Sequence, residues 1–332
     1  MVRNGIVGWM FLGLWLLFAT QVDAGSAAGE FDELGQVHWL RDYEVARTRS
    51  AREGKPIFLL FQEVPGCETC VSFGEEVLSH PLLVEAIEDE FIPLAILNNK
   101  PGDDRRILEQ FGEPAWNNPV VRFIGQGEKD LIARRDRIWQ SSEIATRMTQ
   151  ALQVAERPVP DYLVALQGEL APQTIERATL AMGCYWAGEA CLGTLPGLLS
   201  SRVGDLSGRE VVELKFDGTR LSYRELLTRA RRLGCADSVF AHGEDQLTIA
   251  REVFGTAAQT AKGLATDASA RNQKYHLKRN ATLGDIAQLD LTPGQATRLN
   301  HISWANVSNA AKPANKDDPR TVLSPRQIKA LR

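Results

Sequence analysis

A short apolar segment ends just before two cysteines, and this order limits what the chain can fold into. Ile57 to Phe61 is apolar throughout and is flanked by chain-breaking residues, which predicts a buried strand. Cys67-Glu68-Thr69-Cys70 follows, and helical spacing of apolar residues begins there. At the start of a helix, free backbone N–H groups and the helix dipole stabilise a thiolate. The sequence therefore predicts a reactive cysteine pair in a strand-turn-helix unit.

Two other uses of this cysteine pair are weaker. A structural zinc site needs four ligands, and no second CxxC or histidine pair lies near Cys67 and Cys70. The five histidines of the chain are scattered without ligand spacing, so we expect no metal site. A purely structural disulfide across four residues closes too small a loop to stabilise much. Redox chemistry is the favoured interpretation.

The segment from 30 to 157 alternates predicted strands with predicted helices. Phe91 to Leu97 and Val120 to Ile124 are further apolar runs that predict buried strands. Trp139 to Val154 has the spacing of a closing amphipathic helix. Such alternation predicts an α/β sheet.

This segment resembles the thioredoxin superfamily over about 120 residues, most closely the thioredoxin-like domains of exported disulfide-interchange proteins. The matching features are Trp39, Gly54-Lys55-Pro56, Cys67 with Cys70, and Asn118-Pro119-Val120. The resemblance implies a thioredoxin-like fold in which Pro119 is cis, faces the cysteine pair and contacts substrate; an ordinary trans proline is the alternative. Glu68 departs from the family pattern, and we expect its charge to raise the pKa of Cys67.

The segment from 173 to 310 predicts the order β-α-β-β-α-β, which is a split βαβ, ferredoxin-like α+β core. Its predicted elements are a strand over Glu176 to Met182, a helix from Cys184, strands over Leu198 to Val203 and Glu210 to Phe216, a helix opened by the capping box Ser222-Tyr-Arg-Glu225, and a strand over Asp237 to Ala241.

Cys184 lies at a predicted strand-to-helix junction, next to Tyr185 and Trp186 and five residues before Glu189. A thiol, a carboxylic acid and aromatic rings suit attack on a polarised sulfur with proton donation to the leaving oxygen. Any amphipathic helix can offer these residue types, so the combination alone is weak.

The wider motif resembles peptide methionine sulfoxide reductase A over about 110 residues. The matching stretches are Gly183-Cys184-Tyr185-Trp186-x-x-Glu189, Leu195-Pro196-Gly197, Val211-x-Glu213-x-x-Phe216-Asp217, Leu221-Ser222-Tyr223-x-Glu225-Leu226-Leu227 and Asn272-Gln273-Lys274-Tyr275-His276-Leu277. The resemblance implies that Cys184 is the nucleophile and passes through a sulfenic acid. It implies that Glu189 protonates the sulfoxide oxygen and that Tyr185 and Trp186 hold the S-methyl group.

Two stretches depart from that family. Arg202 to Glu210 replaces a longer loop, and Ser238 to Leu247 does not match the family's second motif. The two tyrosines and the aspartate that the family carries there have no counterpart. A catalytic domain that keeps thiol chemistry and a non-catalytic domain therefore both remain open.

Cys191 and Cys235 are the possible resolving thiols for Cys184. Cys191 lies seven residues after Cys184, about 10.5 Å along one helix, whereas a disulfide needs Cα atoms within about 7 Å. Packing is thus the favoured role of Cys191. Cys235 follows a predicted helix and is the freer candidate, with burial as a small apolar residue as its alternative. The resolving cysteines that the sulfoxide reductase family usually carries near its C-terminus are absent, since no cysteine follows Cys235, and the Cys67-Cys70 pair could replace them.

Near the start of the chain, Arg3 precedes an uncharged apolar run and a small-residue exit, which predicts a signal peptide over 1–24 rather than an uncleaved anchor. We expect a linker over 158–172 and a tail over 311–332 with a short terminal helix. After cleavage no remaining segment is apolar enough to span a membrane. We therefore expect an extracytoplasmic location, the bacterial periplasm.

The sequence as a whole predicts an exported two-domain thiol oxidoreductase. Its substrate would be methionine sulfoxide in an oxidised protein or peptide, a repair reaction, or a related oxidised sulfur, and Cys67 and Cys70 would recycle Cys184. An external thiol or disulfide reductase would supply electrons, without a bound cofactor. A net charge of −4 without a basic cluster argues against nucleic-acid binding. Thiol–disulfide exchange with a non-catalytic second domain, or a non-catalytic scaffold, are the alternatives.

Overall fold

A computed structural model describes residues 28–171, 173–279, 286–308 and 318–331. The predicted signal peptide over 1–24 lies outside the described residues, as do residue 172 of the predicted linker and the start of the predicted tail. In the described ranges, no helix is long and apolar enough to cross a membrane.

The first unit is built on a sheet of three strands, β1 (Ile57–Gln62), β2 (Ile92–Leu97) and β3 (Val120–Ile124). Strand β1 is central, parallel to β2 and antiparallel to β3. All three strands lie where the apolar runs predict them. Every residue of β1 and β2 is buried, as expected for strands that are covered on both faces.

Alternate residues of β1 serve two separate cores. Phe58 and Leu60 point to one face of the sheet, and Leu59 and Phe61 to the other. The helices that cover the sheet are α1 (Tyr43–Glu53), α2 (Glu68–Glu76), α3 (Pro81–Glu90), α4 (Asp103–Gln110) and α5 (Ser141–Val154). The predicted thioredoxin-like α/β fold is confirmed.

The predicted linker over 158–172 contains a helix. Residues Asp161–Leu170 form α6. Tyr162, Leu163 and Leu166 of this helix are buried in the first core, because their spacing places them on one face. The chain therefore stays packed against the first unit almost to residue 171.

The second unit contains β4 (Ile175–Ala181), α7 (Tyr185–Leu192), β5 (Leu198–Leu206), β6 (Arg209–Asp217), α8 (Tyr223–Arg232) and β7 (Ser238–Ala241). These four strands are arranged β7-β4-β6-β5 and all pair antiparallel. This is the predicted ferredoxin-like arrangement, and it is confirmed. Short strands β8 (Ala258–Thr260) and β9 (Thr266–Asp267) extend its edges, and α9 (Glu244–Phe254) follows β7.

The C-terminal part of the chain returns to the first unit. After α10 (Tyr275–Lys278) and α11 (Pro293–Ser308), the short terminal helix α12 (Pro325–Ala330) packs beside α3. The Arg326 guanidinium forms ion pairs with Glu88 and Asp89, and its backbone N–H donates to the buried Glu85 carboxylate. The tail thus connects the two units.

Helix α2 packs closely against the turn at Asp32–Leu34, and a mutation can test this contact. A Cβ atom at Gly74 would lie 1.8 Å from the Asp32 carbonyl oxygen. We expect Gly74→Ala to lower the free energy of unfolding by about 1–3 kcal/mol, because backbone must move to admit the methyl group. Urea denaturation measures it.

Gly127→Ala is the matched control, since a Cβ there meets nothing within 4 Å. We expect its free energy of unfolding to stay within about 0.5 kcal/mol of wild type. Equal stability of the two variants would show that α2 does not pack against the turn this closely.

Candidate functional site

The first cysteine pair lies at the start of α2, with the two sulfurs in contact. Cys67 is the N-cap residue and is exposed, whereas Cys70 lies in the first turn and is 0% exposed. Their Sγ atoms are 3.3 Å apart, a contact between two free thiols. The pair is therefore placed to open and close a disulfide with only Cys67 reachable from solvent.

The surroundings of the two thiols push their pKa values apart. Burial raises the pKa of Cys67, but hydrogen bonds from Cys70 and Thr69 outweigh it and the net pKa is lowered. Burial, together with the hydrogen bond to Cys67, raises the pKa of Cys70 to about 12. The expected effect of Glu68 is not among the main influences on Cys67. Cys67 is therefore the thiol of the pair that loses its proton more readily.

The loop before β3 contacts the buried thiol. The Asn118–Pro119 peptide bond is cis, which confirms the expected conformation of Pro119. The Cys70 thiol donates to Asn118 Oδ1 at 2.7 Å, so this loop lies directly beside the pair. The Val64–Pro65 bond is also cis, which the sequence analysis did not anticipate. Whether Pro119 contacts substrate stays a prediction.

A buried carboxylate supports the turn that carries Cys67. Glu33, from the turn at Asp32–Leu34, accepts a hydrogen bond from the Gly66 N–H at 2.6 Å. A Cβ at Gly66 would lie 2.4 Å from the Glu63 carbonyl oxygen and 2.6 Å from Cys70 Cβ, so only glycine fits here. No sequence pattern marks Glu33, because its partner is a backbone group 33 residues away.

The second reactive thiol, Cys184, is the exposed N-cap residue of α7. The sequence predicts that the free N–H groups of this helix stabilise its thiolate. In the structure one of them is occupied, since the Tyr185 N–H donates to Glu210 Oε2 at 2.7 Å. The Glu210 carboxylate thus shares the helix N-terminus with Cys184.

The expected acid, Glu189, is wholly buried and surrounded by donors. Its Oε1 accepts from the Lys274 ammonium at 2.7 Å and the Ser201 hydroxyl at 3.0 Å. Its Oε2 accepts from the Lys274 N–H at 3.1 Å and the Asn300 amide at 3.3 Å. Protonation of a sulfoxide by Glu189 would require this contact with Lys274 to open. That role stays a prediction, and Lys274 is a partner that the sequence analysis missed.

The side chains of Tyr185 and Trp186, which follow Cys184, already have contact partners in the structure. Trp186 stacks on Tyr275 with ring centroids 3.9 Å apart and an interplanar angle of 9°. The Tyr185 hydroxyl accepts from the Asn272 amide at 3.0 Å. One face of Trp186 is therefore unavailable to an S-methyl group. A recess of about 560 Å³ opens beside these rings, lined by Trp186, Arg271, Asn272, Tyr275 and Arg279.

The structure contradicts the resolving role that was considered for Cys191 and Cys235. They form a disulfide with each other, with Cα atoms 5.8 Å apart. Neither is a free resolving thiol for Cys184, because each sulfur is already bonded. All five cysteines lie in the described ranges, so Cys184 is the one free thiol of the second unit. It contacts neither Cys67 nor Cys70, whose sulfurs lie against each other.

In the described part of the chain, no group of three or more histidine, cysteine, aspartate or glutamate side chains is arranged to hold a metal ion.

Comparison with known proteins gives matches to two kinds of protein. Residues 38–125 match a family model described as thioredoxin-like. A peptide methionine sulfoxide reductase MsrA of Nitrobacter winogradskyi is 34% identical over 107 residues, which cover 24% of this chain and 60% of that protein. MsrA 1 of Mesorhizobium japonicum is 26% identical over 155 residues, covering 43% of this chain and 81% of that protein.

The chain thus spans less than two thirds of the length of the Nitrobacter protein. Among solved structures, a DsbH oxidoreductase is 19% identical with a TM-score of 0.30, covering 36% of this chain and 85% of its own. The chain joins a thioredoxin-like domain to a domain similar to peptide methionine sulfoxide reductase A.

Proposed function

We propose that this chain is an exported thiol oxidoreductase that reduces methionine sulfoxide in proteins or peptides. One observation carries the proposal: Cys184 is an exposed free thiol at a strand-to-helix junction, in a domain whose other two cysteines are bonded to each other. Once oxidised, Cys184 would have no second thiol in its own unit. The Cys67-Cys70 pair on the same chain is a dithiol suited to reduce it.

The reaction divides into three steps. The Cys184 thiol takes the oxygen of the sulfoxide, so its sulfur is oxidised to a sulfenic acid and the sulfoxide becomes a thioether. The Cys67 thiol then attacks Cys184 Sγ, which releases water and forms a mixed disulfide. Cys70 attacks Cys67, which frees the Cys184 thiol and leaves a Cys67–Cys70 disulfide.

An external dithiol must return two electrons and two protons to the Cys67–Cys70 disulfide. The low pKa of Cys67 suits this exchange, because Cys67 is then a good leaving group as well as a nucleophile. The Cys191–Cys235 disulfide supports a location where disulfides persist, such as the bacterial periplasm. A reducing partner there would have to act on the exposed Cys67 and leave that disulfide intact.

A second function is favoured by the Glu189 contacts. Glu189, the expected acid, is buried against Lys274, and the Glu210 carboxylate beside Cys184 accepts the Tyr185 N–H at the start of α7. In this alternative the Cys67-Cys70 pair exchanges disulfides with other exported proteins. The second unit would then only bind them.

A turnover assay separates these two functions. We expect the wild-type protein to reduce a peptide that contains methionine sulfoxide, with dithiothreitol as reductant, and Cys184→Ser to abolish turnover. Cys67→Ser should keep activity with dithiothreitol, because a small dithiol reaches the sulfenic acid directly. The same variant should lose activity when a protein disulfide reductase is the only electron donor.

Two outcomes would contradict the proposal. Absence of turnover in the wild-type protein, combined with reduction of insulin disulfides that depends on Cys67, would assign it to the exchange function. Equal turnover by wild type and Cys184→Ser would exclude Cys184 as the nucleophile.

The contact between Cys67 and Cys70 predicts how a mutation of Cys70 changes the pKa of Cys67. Cys70→Ala removes a side-chain hydrogen bond that lowers the pKa of Cys67, so that pKa should rise. Since the thiolate exists above the pKa, the midpoint of the alkylation profile of Cys67 should move to higher pH. We expect several-fold slower labelling by iodoacetamide near neutral pH, measured by mass spectrometry of a digest.

Cys184 in the same variant is the internal control, and its labelling rate should not change. An unchanged profile for Cys67 would show that Cys70 does not stabilise the thiolate.

A further inference from the structure

A recess beside Cys184 combines aromatic rings with two arginines. Trp186 and Tyr275 form an aromatic wall, and Arg271, Arg279 and Asn272 supply the polar lining. Its volume of about 560 Å³ is enough for a side chain and part of a peptide backbone. The sequence motif that contains Asn272 and Tyr275 carried no role in the predicted mechanism.

The positive charge of the recess is not neutralised within the described residues. Neither Arg271 nor Arg279 has a carboxylate within ion-pair distance in these ranges. Arg279 donates to the Tyr275 hydroxyl at 2.6 Å and lies over the Tyr275 ring at 5.3 Å, which fixes its guanidinium at the recess. By contrast, Arg202 of β5 is paired with both Glu213 and Asp267.

Tyr185 connects the recess with the thiol. It follows Cys184 directly in the chain, and its hydroxyl accepts from Asn272, which lines the recess. Burial raises the pKa of this hydroxyl, Glu210 and Cys184 raise it further, and Arg271 lowers it. The recess therefore lies on the side of the second unit that carries Cys184.

We propose that this recess binds a carboxylate of the substrate, so that the enzyme prefers oxidised methionine next to an acidic group. Guanidinium groups bind carboxylates through paired hydrogen bonds, and the rings can pack against the methylene groups that carry the acid. The carboxylate comes either from a neighbouring aspartate or glutamate or from the C-terminus of a peptide. The inference rests on the proposed function for its substrate, but the charge of the recess can be tested without turnover.

The first test compares two alkylating reagents on the reduced full-length protein. Iodoacetate is anionic and iodoacetamide is neutral, so the ratio of their rates at one thiol reports the local charge. We expect Arg271→Ala to lower this ratio at Cys184 roughly two- to five-fold, the size expected for one charge several ångströms away in a mostly aqueous setting. Mass spectrometry of a digest gives the rates for each cysteine.

Arg232→Ala, an exposed arginine on α8, is the matched control and should leave the ratio at Cys184 unchanged. Cys67, which lies in the other unit, should keep its ratio in both variants. An unchanged ratio at Cys184 in Arg271→Ala, or an equal fall in Arg232→Ala, would overturn the proposal.

The second test distinguishes the two sources of the carboxylate. Four peptides contain one methionine sulfoxide: three are amidated, with aspartate, asparagine or lysine beside it, and the fourth has neutral neighbours and a free C-terminus. A lower KM for the aspartate peptide, lost in Arg271→Ala, supports a neighbouring acid. A lower KM for the fourth peptide alone supports the C-terminus.

These experiments distinguish failure of the carboxylate-binding proposal from failure of the proposed reductase function. Equal KM values for all peptides, with normal turnover, would overturn the carboxylate preference and leave the reductase intact. Absence of turnover on every peptide, with the expected change in alkylation ratio, would overturn the reductase and leave a carboxylate-binding recess.

Discussion

The buried ion pair between Glu189 and Lys274 holds the second unit's site together. The pair and its hydrogen bonds join α7, β5 and α11 at one point, through Ser201 and Asn300. Removing one partner of such a pair leaves an uncompensated buried charge, which typically costs about 3–5 kcal/mol. The contact that fixes the orientation of α7, and so of Cys184, therefore also keeps Glu189 away from a substrate. The fold is stabilised when Glu189 is paired with Lys274, whereas the acid role that the family resemblance implies requires Glu189 to reach the substrate.

The two reactive thiols share one backbone arrangement but differ in their charged neighbours. Each is the N-cap of a helix that follows a strand, where N–H groups are free. At α2 the Glu33 carboxylate binds the residue before Cys67, and Cys70 and Thr69 stabilise the thiolate. At α7 the Glu210 carboxylate binds the residue after Cys184 and takes a donor from the helix start. Equivalent positions in the chain thus do not imply equal nucleophilicity.

Sequence patterns were sufficient for both folds because buried strands and capping boxes are local signals. The apolar run at Ile57 to Phe61 and the order of elements around Cys184 needed no distant partner. Pairings across the fold left no such signal. The Cys191–Cys235 disulfide joins residues 44 apart, and Lys274 reaches Glu189 from 85 residues away. No helix was predicted within the linker over 158–172, because proline residues flank α6 and its apolar face is recognisable only against the first core.

The way in which the tail connects the units bears on how Cys184 is reduced. Helix α6 packs into the first core, and Arg326 of α12 binds Glu88 and Asp89 on α3, so the second unit is attached at both of its ends. A tether raises the effective concentration of a partner thiol only if its geometry lets the two groups meet. With two attachments, transfer from Cys184 to Cys67 within one molecule requires that the Arg326 contacts open or that the sulfurs already face one another. Otherwise the same chemistry proceeds between two molecules, and its rate depends on protein concentration.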